Sequence, residues 1–338
     1  MPTIRDVAKL AKVSISTVSL AVSDPERVSP ETLQRIWQVA KEIGYAPNPV
    51  AQSLKSGRSK LIGMVVGDIA NPFFGIMVKE VERFALSHGY LIVTANTDGE
   101  VARELAVLAH MQAQHAAGIV LSPHGRGAEY AAVIDKLKMP VIIIDQKVDG
   151  AHCDFIGGES RLASAMLTEH LIRYGHTRIA YIGGRPGLWT SEERLRGYTE
   201  TMASAGIETD PTMIISGDYK GEVAYAAAMR LLTRRDRPSA IFAANNVMAL
   251  GVLQAINDLG FRCPADVSLT TIDDVPWSNV IQPRITTAIQ PIEEISLLAS
   301  EWLFERIGRG RRDSLPPRER FVMPRLQVGQ SCAPPPSL

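Results

Sequence analysis

Four polar side chains stand where a small ligand could be gripped. Asp145 follows the apolar run Val141-Ile142-Ile143-Ile144 directly, and Asp273 follows Leu269-Thr270-Thr271-Ile272. Asn245 lies just past Ala240-Ile241-Phe242-Ala243, and Arg194 lies in a helical stretch beside Gly197, which permits close packing. Strand ends are where open α/β sheets hold ligands. Carboxylates accept from vicinal hydroxyls, and Arg and Asn add donors in fixed geometry, so the set suits a polyol. Phe73, Phe74 and Trp277 could stack on the apolar face of a sugar ring. Each residue also has a plainer role. Asp273, Asp274, Asn245 or Asn246 could cap a helix or turn, and Arg194 could pair with Glu192 or Glu193. The convergence of four such groups in one repeating pattern favours the pocket.

A second chemistry is written at the N-terminus, in Thr3 to Val22. Thr3 can cap a first short helix, with Asp6 near its orphan N–H groups. Val7, Ala8, Leu10 and Ala11 give that helix one apolar face. Lys12-Val13-Ser14 forms a turn, and Ser14 caps a second helix over 15–22. Val18, Ala21 and Val22 should point inward, leaving Ile15, Ser16, Thr17, Ser19 and Leu20 outside. This is the helix-turn-helix pattern, whose second helix enters the DNA major groove. Ser29-Pro30-Glu31 opens a third helix with Leu33, Ile36, Val39, Ala40 and Ile43 on its apolar side and Gly44 at its end. Asn48 and Pro49 can open a fourth helix over about 48–56, too short to be stable alone.

The pattern changes after the polar linker Ser56-Gly57-Arg58-Ser59-Lys60. Short apolar strands begin at Leu61, Tyr90, Gly118 and Val141, with helices between them. The rhythm restarts with strands at Arg178, Met213, Ala240 and Ser268. Alternating strands and helices imply parallel sheets covered on both faces. Two such units in tandem predict two lobes with a ligand cleft between them. A final amphipathic helix over about 291–307 should return to the first lobe, and the Pro334-Pro335-Pro336 tail reads as disordered.

TIRDVAKLAKVSISTVS at the start, VSPET at the third helix and GYAPNPVAQSLKS after it resemble the lactose-repressor (LacI-type) family of bacterial transcription regulators. GHTRIAYIGG, RLRGY, AANNVMALG and TIDDVPW extend the resemblance over the whole chain. It implies an all-α helix-turn-helix headpiece with hinge helix over 1–58 and an α/β, two-lobed, periplasmic-binding-protein-like core over 59–338. Lobe 1 would take about 60–157 and 289–319, and lobe 2 about 158–288 and 320–333. The implied function is a regulator, a repressor by preference, that binds a palindromic double-stranded operator as a homodimer. DNA contacts would come from Thr3, Ser14, Ile15, Ser16, Thr17, Ser19 and Leu20, and from Asn48, Ala51, Leu54 and Lys55 of the hinge. Leu54 matches the family's paired wedge, an apolar side chain that kinks the minor groove. Asp145, Arg194, Asn245 and Asp273 match effector-binding positions, and Gln290 a further one near the lobe junction. Asn246 stands where the family usually has an acid, which puts one cap or ligand contact in question. Purine-binding members usually lack the asparagine seen as Asn245, so a carbohydrate effector is preferred over a purine or nucleoside.

Of 338 residues, 46% are hydrophobic and 21% charged, ordinary for a packed protein, and the net charge is zero. Residues 1–60 hold nine Lys/Arg against five Asp/Glu, and the rest 27 against 31. The basic surplus sits where phosphates would be met. Three widely spaced cysteines give neither a disulfide framework nor a metal motif, and seven histidines show no ligand spacing and should be surface or capping residues. Absent phosphate-loop, nucleophile-elbow and dinucleotide motifs speak against an enzyme, so no catalytic residue, metal or cofactor is expected. With no signal peptide and no apolar run of about 20 residues, a cytoplasmic location and no membrane partner are expected. A sugar-binding receptor without a DNA role shares the core pattern but would need export and lack the headpiece.

Overall fold

A computed structural model describes residues 2–46, 59–276, 278–309 and 316–336. They form two compact units, one running to Lys60 and taking in Gln114–Ala117, the other comprising Leu61–Ala113 and Gly118 onward.

In the first unit, α1 (Ile4–Leu10) starts at Thr3, whose N–H and hydroxyl both donate to Asp6 Oδ2 at 2.8 and 2.7 Å. Lys12 turns the chain in the left-handed region (φ 53°), and Val13 N–H donates to the Ala8 carbonyl at 3.0 Å. Ser14 then caps α2 (Ile15–Ser23), its Oγ accepting the Thr17 N–H at 3.0 Å. Ser29 caps α3 (Pro30–Glu42), and Gly44 (φ 68°) ends it. Val7, Ala8, Ala11, Val18, Ala21, Ile36 and Ala40 form the buried core of this unit. Two expected inward positions differ. Leu10 is 56% exposed, because Val7, Ala8 and Ala11 define a face that leaves it on the flank. Val22 is only half-buried.

The second unit carries two six-stranded sheets among its described residues. The first has β1 (Leu61–Val66), β2 (Leu91–Asn96), β3 (Gly118–Leu121), β4 (Val141–Ile144), β5 (Asp154–Gly158) and β11 (Glu319–Val322), in the order β11-β5-β4-β3-β1-β2, all parallel. The second has β6 (Ile179–Gly183), β7 (Ile214–Ser216), β8 (Ala240–Ala243), β9 (Ser268–Ile272), β10 (Thr286–Ile289) and β12 (Arg325–Gln327), in the order β12-β10-β9-β8-β6-β7. Only β12 runs antiparallel, against β10. The intervening helices are α4 (Pro72–Ser87), α5 (Val101–Ala113), α6 (Gly127–Asp135), α7 (Ser160–Arg173), α8 (Trp189–Ser204), α9 (Gly221–Leu232), α10 (Asn246–Asp258) and α11 (Ile292–Arg309).

The chain thus passes between sheets after β5, after β10 and again between β11 and β12. The expected return to the second lobe at 320 is corrected: residues 320–322 pair with β5, so the crossing follows Val322. Asp154 anchors this corner. Its fully buried carboxylate accepts from Arg306 at 2.6 and 2.9 Å and from the Arg318 N–H and guanidinium at 2.8 and 3.0 Å. Gly197 brings α8 onto α7, since a Cβ there would lie 2.2 Å from the Arg161 carbonyl oxygen. His176 is corrected too. It is buried, not a surface residue, and sits between the Ser239 and Ser268 hydroxyls at 2.8 and 3.0 Å. Burial holds its pKa below the ordinary histidine value. The Pro334–Pro336 stretch, expected to be disordered, is described as a coil, with Ala333 N–H donating to Ser268 Oγ at 3.1 Å just before it.

Candidate functional site

On α2 the outward residues divide by what their polar atoms already do. Ser14 and Thr17 hydroxyls bond each other at 2.8 Å, so both are committed to the cap. The Thr3 hydroxyl is likewise held by Asp6. Ser16 and Ile15 are the exposed residues of the first turn, Ile15 at 47%, while Ser19 and Leu20 are half-buried. The outer surface of α2 is therefore mostly apolar and hydroxyl, with few free donors. Asn48, Ala51, Leu54 and Lys55 lie outside the described residues, as does Trp277.

Between the two sheets, a cavity of about 390 Å³ opens at the carboxyl ends of the parallel strands. Phe73, Phe74, Asp145, Arg194, Asn245 and Asp273 all line it. Asp145 and Asp273 sit immediately after β4 and β9, both in the left-handed backbone region (φ 62° and 65°). Asp98, Asp218 and Tyr219, also lining the cavity, share that conformation. Non-glycine residues held so cost energy and cluster at sites of function.

Arg194 is the buried hub, 4% exposed. One Nη donates to the Ala244 carbonyl, its Nε has no protein partner, and its guanidinium lies 5.7 Å from the centre of the Tyr219 ring. It does not pair with its neighbours in sequence; Glu193 takes Arg196 instead. Burial opposes the Arg194 charge, but Tyr219, Asp273 and Asp145 outweigh it and hold its pKa above the ordinary value. Burial pushes Asp273 up to about 6, against the pull of Arg194. Asp145 is raised by the same cause and lowered by Arg194 and His124. Two carboxylates and one guanidinium line the same cavity, so the site can accept from a ligand that supplies donors.

Gln290 does not line the cavity. Its amide donates to both Asp273 oxygens at 3.2 and 3.0 Å and fixes that carboxylate from behind. Asn245 has a double role, because its Oδ1 caps α10 through the Met248 N–H at 2.8 Å while the residue borders the cavity. Asn246 turns away and donates to the Asp274 carbonyl at 3.2 Å. Asp274 is a turn cap, accepting from Val275 N–H and Ser278 Oγ at 2.9 Å each. The Phe73 and Phe74 rings meet edge to face, 5.1 Å apart at 80°, and form an apolar wall.

Sequence reasoning missed the residues that bridge the lobes. Gln146 donates to Thr190 Oγ1 at 2.6 Å and accepts from its N–H at 3.2 Å, and the Tyr219 hydroxyl joins Thr190 at 2.9 Å. Arg185 pairs with Asp218 at 2.7 Å and reaches the Gly99 carbonyl at 3.0 Å. Only Gln146 carried a local signal, its place one residue past a strand end. Among the described residues, no helix is long and apolar enough to cross a membrane.

Residues 3–48 match the family model for bacterial regulatory proteins of the lacI family, and residues 168–332 the periplasmic binding protein-like domain. The chain is 33% identical over 308 residues to the HTH-type transcriptional repressor PurR of Aliivibrio salmonicida, covering 91% of this chain and 92% of that one. It is 31% identical over 318 residues to the ribose operon repressor of Halalkalibacterium halodurans, with 93% of each covered. The fold is similar to the lac repressor dimer bound to operator and the anti-inducer ONPF, with TM-score 0.85, 24% identity, and 98% and 99% of the two chains covered. With its capped helix-turn-helix, its two-sheet core and these relatives, the chain belongs to the lacI family of bacterial regulatory proteins and is a DNA-binding transcriptional repressor of the LacI type.

Proposed function

We propose that the repressor grips a palindromic operator as a homodimer and is controlled by a sugar or sugar derivative held between the lobes. The observation that carries the effector class is the buried Arg194 lining the same cavity as Asp145, Asn245 and Asp273. Carboxylates facing a cavity accept from vicinal hydroxyls, and a guanidinium in its lining donates to a ring or hydroxyl oxygen. Phe73 and Phe74 would cover the apolar face of the ring. The name of the ribose operon repressor points the same way.

In this reading Ser16, Ile15 and Leu20 meet base edges, with Thr3, Ser14, Thr17 and Ser19 set around them. Asn48, Ala51, Leu54 and Lys55 make the hinge contacts within a headpiece over 1–58, and 59–338 form the effector core. The effector prefers one arrangement of the lobes, and that preference is the coupling to DNA, typically ~1–3 kcal/mol.

A purine effector is the second reading, favoured by the PurR name of the 33% identical relative. Phe73, Phe74 and Tyr219 all line the cavity, so a flat base could also find an aromatic face there, and the choice rests on the polar set. A thermal-shift panel of pentoses, hexoses, disaccharides, hypoxanthine and guanine tests the choice. A sugar should raise the melting temperature of wild type and not of Arg194→Ala; stabilisation by the purines alone would replace the sugar reading.

A further inference from the structure

The effector cavity does not end at its inner wall. A second chamber of about 510 Å³ lies beside it, and Gly99, His124, Arg185 and Leu188 line both. The two are consecutive parts of one cleft. Their charge differs. The inner chamber is lined by more acids than bases, whereas the outer one has Arg126 against Glu129, and Arg185, which Asp218 already neutralises.

The outer wall is built by buried groups. Glu104 is fully buried, and its carboxylate accepts the N–H groups of His124 and Gly125 and the Tyr130 hydroxyl. That fixes the loop after β3. His124 stands between the chambers, in space left by two glycines; a Cβ at Gly67 would lie 2.1 Å from its ring, and one at Gly99 3.1 Å. The Arg126 guanidinium passes over Gly187, where a Cβ would lie 1.2 Å from Nη1. Gly187 itself has φ 83°, a conformation that favours glycine. Arg126 is exposed and, among the described residues, makes no hydrogen bond or ion pair, so its guanidinium lines the chamber with its donors uncommitted.

We infer that the outer chamber is a subsite for an anionic group, so that the effector is a sugar carrying a phosphate or carboxylate, its hydroxyls in the inner chamber and its anion on Arg126, beside the Arg185–Asp218 pair. This rests on the sugar reading above. The chemistry is a charge-assisted contact that a guanidinium fork makes with either anion. His124, with its Nδ1 lacking a hydrogen-bond partner, would border the junction of the two parts.

The test has two arms, both by calorimetry on the full chain. Inorganic phosphate should bind wild type and lose at least tenfold in affinity in Arg126→Ala, with partial recovery in Arg126→Lys. Absence of phosphate binding, or equal binding in wild type and Arg126→Ala, overturns the subsite whatever the effector is. The second arm pairs ribose with ribose 5-phosphate, and glucose with glucose 6-phosphate and glucuronate. At least one anionic sugar should bind ten times tighter than its parent, and Arg126→Ala should erase the difference while leaving the parent unchanged. The ester or acid that gains identifies the anion. Neutral sugars that bind without any gain from the anion overturn this inference and leave the sugar reading standing. Failure of every sugar, neutral and anionic, overturns both.

Discussion

Asp273→Asn should change the pH dependence of stability in a way set by one buried carboxyl. The unfolded chain releases the Asp273 proton near 3.8, the folded chain near 6, because burial outweighs the pull of Arg194. Between those values the folded state holds the extra proton, so stability falls as pH rises and levels off above about 6. Two units at 1.36 kcal/mol each set the full loss at about 3 kcal/mol. Roughly 2 kcal/mol of it falls between about pH 4.5 and 7.5. Asparagine cannot ionise. It keeps one acceptor for the Gln290 amide but turns a donor toward it, a pH-independent cost of about 1 kcal/mol. Urea unfolding of wild type and variant across this range gives the comparison. The variant should gain on wild type by 1–2 kcal/mol, roughly, as pH rises. Parallel pH profiles would refute the idea that ionising the buried Asp273 costs stability.

Three further outcomes follow from single contacts. Ser14→Ala removes the α2 cap, worth about 1 kcal/mol, and should speed amide exchange at Thr17 several-fold without altering the effector core; unchanged exchange would mean the cap is idle. Leu20→Arg gives α2 a side chain able to reach a guanine edge, so selection from randomised duplexes should show a new guanine preference of roughly 1–3 kcal/mol at one position, and identical half-sites would remove α2 from the groove. Gln146→Ala breaks two of the bonds to Thr190, and small-angle scattering should then record a larger radius of gyration for the ligand-free chain; superimposable curves would show that these bonds do not hold the lobes together.

The headpiece was legible because its determinants are local. Ser14 caps three residues ahead, and Val18 and Ala21 follow from helical period. Leu10 was misread for a reason of the same scale: a seven-residue helix has room for one narrow buried face, and Val7, Ala8 and Ala11 fill it. In the core, strands with apolar runs such as Val141–Ile144 declared themselves. β5, β10, β11 and β12 did not. Asp154–Gly158 has two glycines and a buried acid, and Glu319–Val322 opens on two charged residues and pairs with a strand at Phe155, far away in sequence. The same distance hid Thr190 and Tyr219, whose place in the cleft depends on Gln146. The strand-end acids were legible by position, but aspartate, though it tolerates the left-handed region, does not announce it as glycine does, so the backbone that aims Asp145 and Asp273 was not legible.

The most direct test measures operator affinity by fluorescence anisotropy on a palindromic duplex, with and without the ligand that best stabilises the core, for wild type and Arg194→Ala. Both proteins should bind the ligand-free duplex equally and with a steep salt dependence. Ligand should shift wild-type affinity by about 5- to 150-fold and leave Arg194→Ala unmoved. A ligand response that survives in Arg194→Ala, or a wild-type affinity for DNA that ignores the ligand, would contradict control of the headpiece from this cleft.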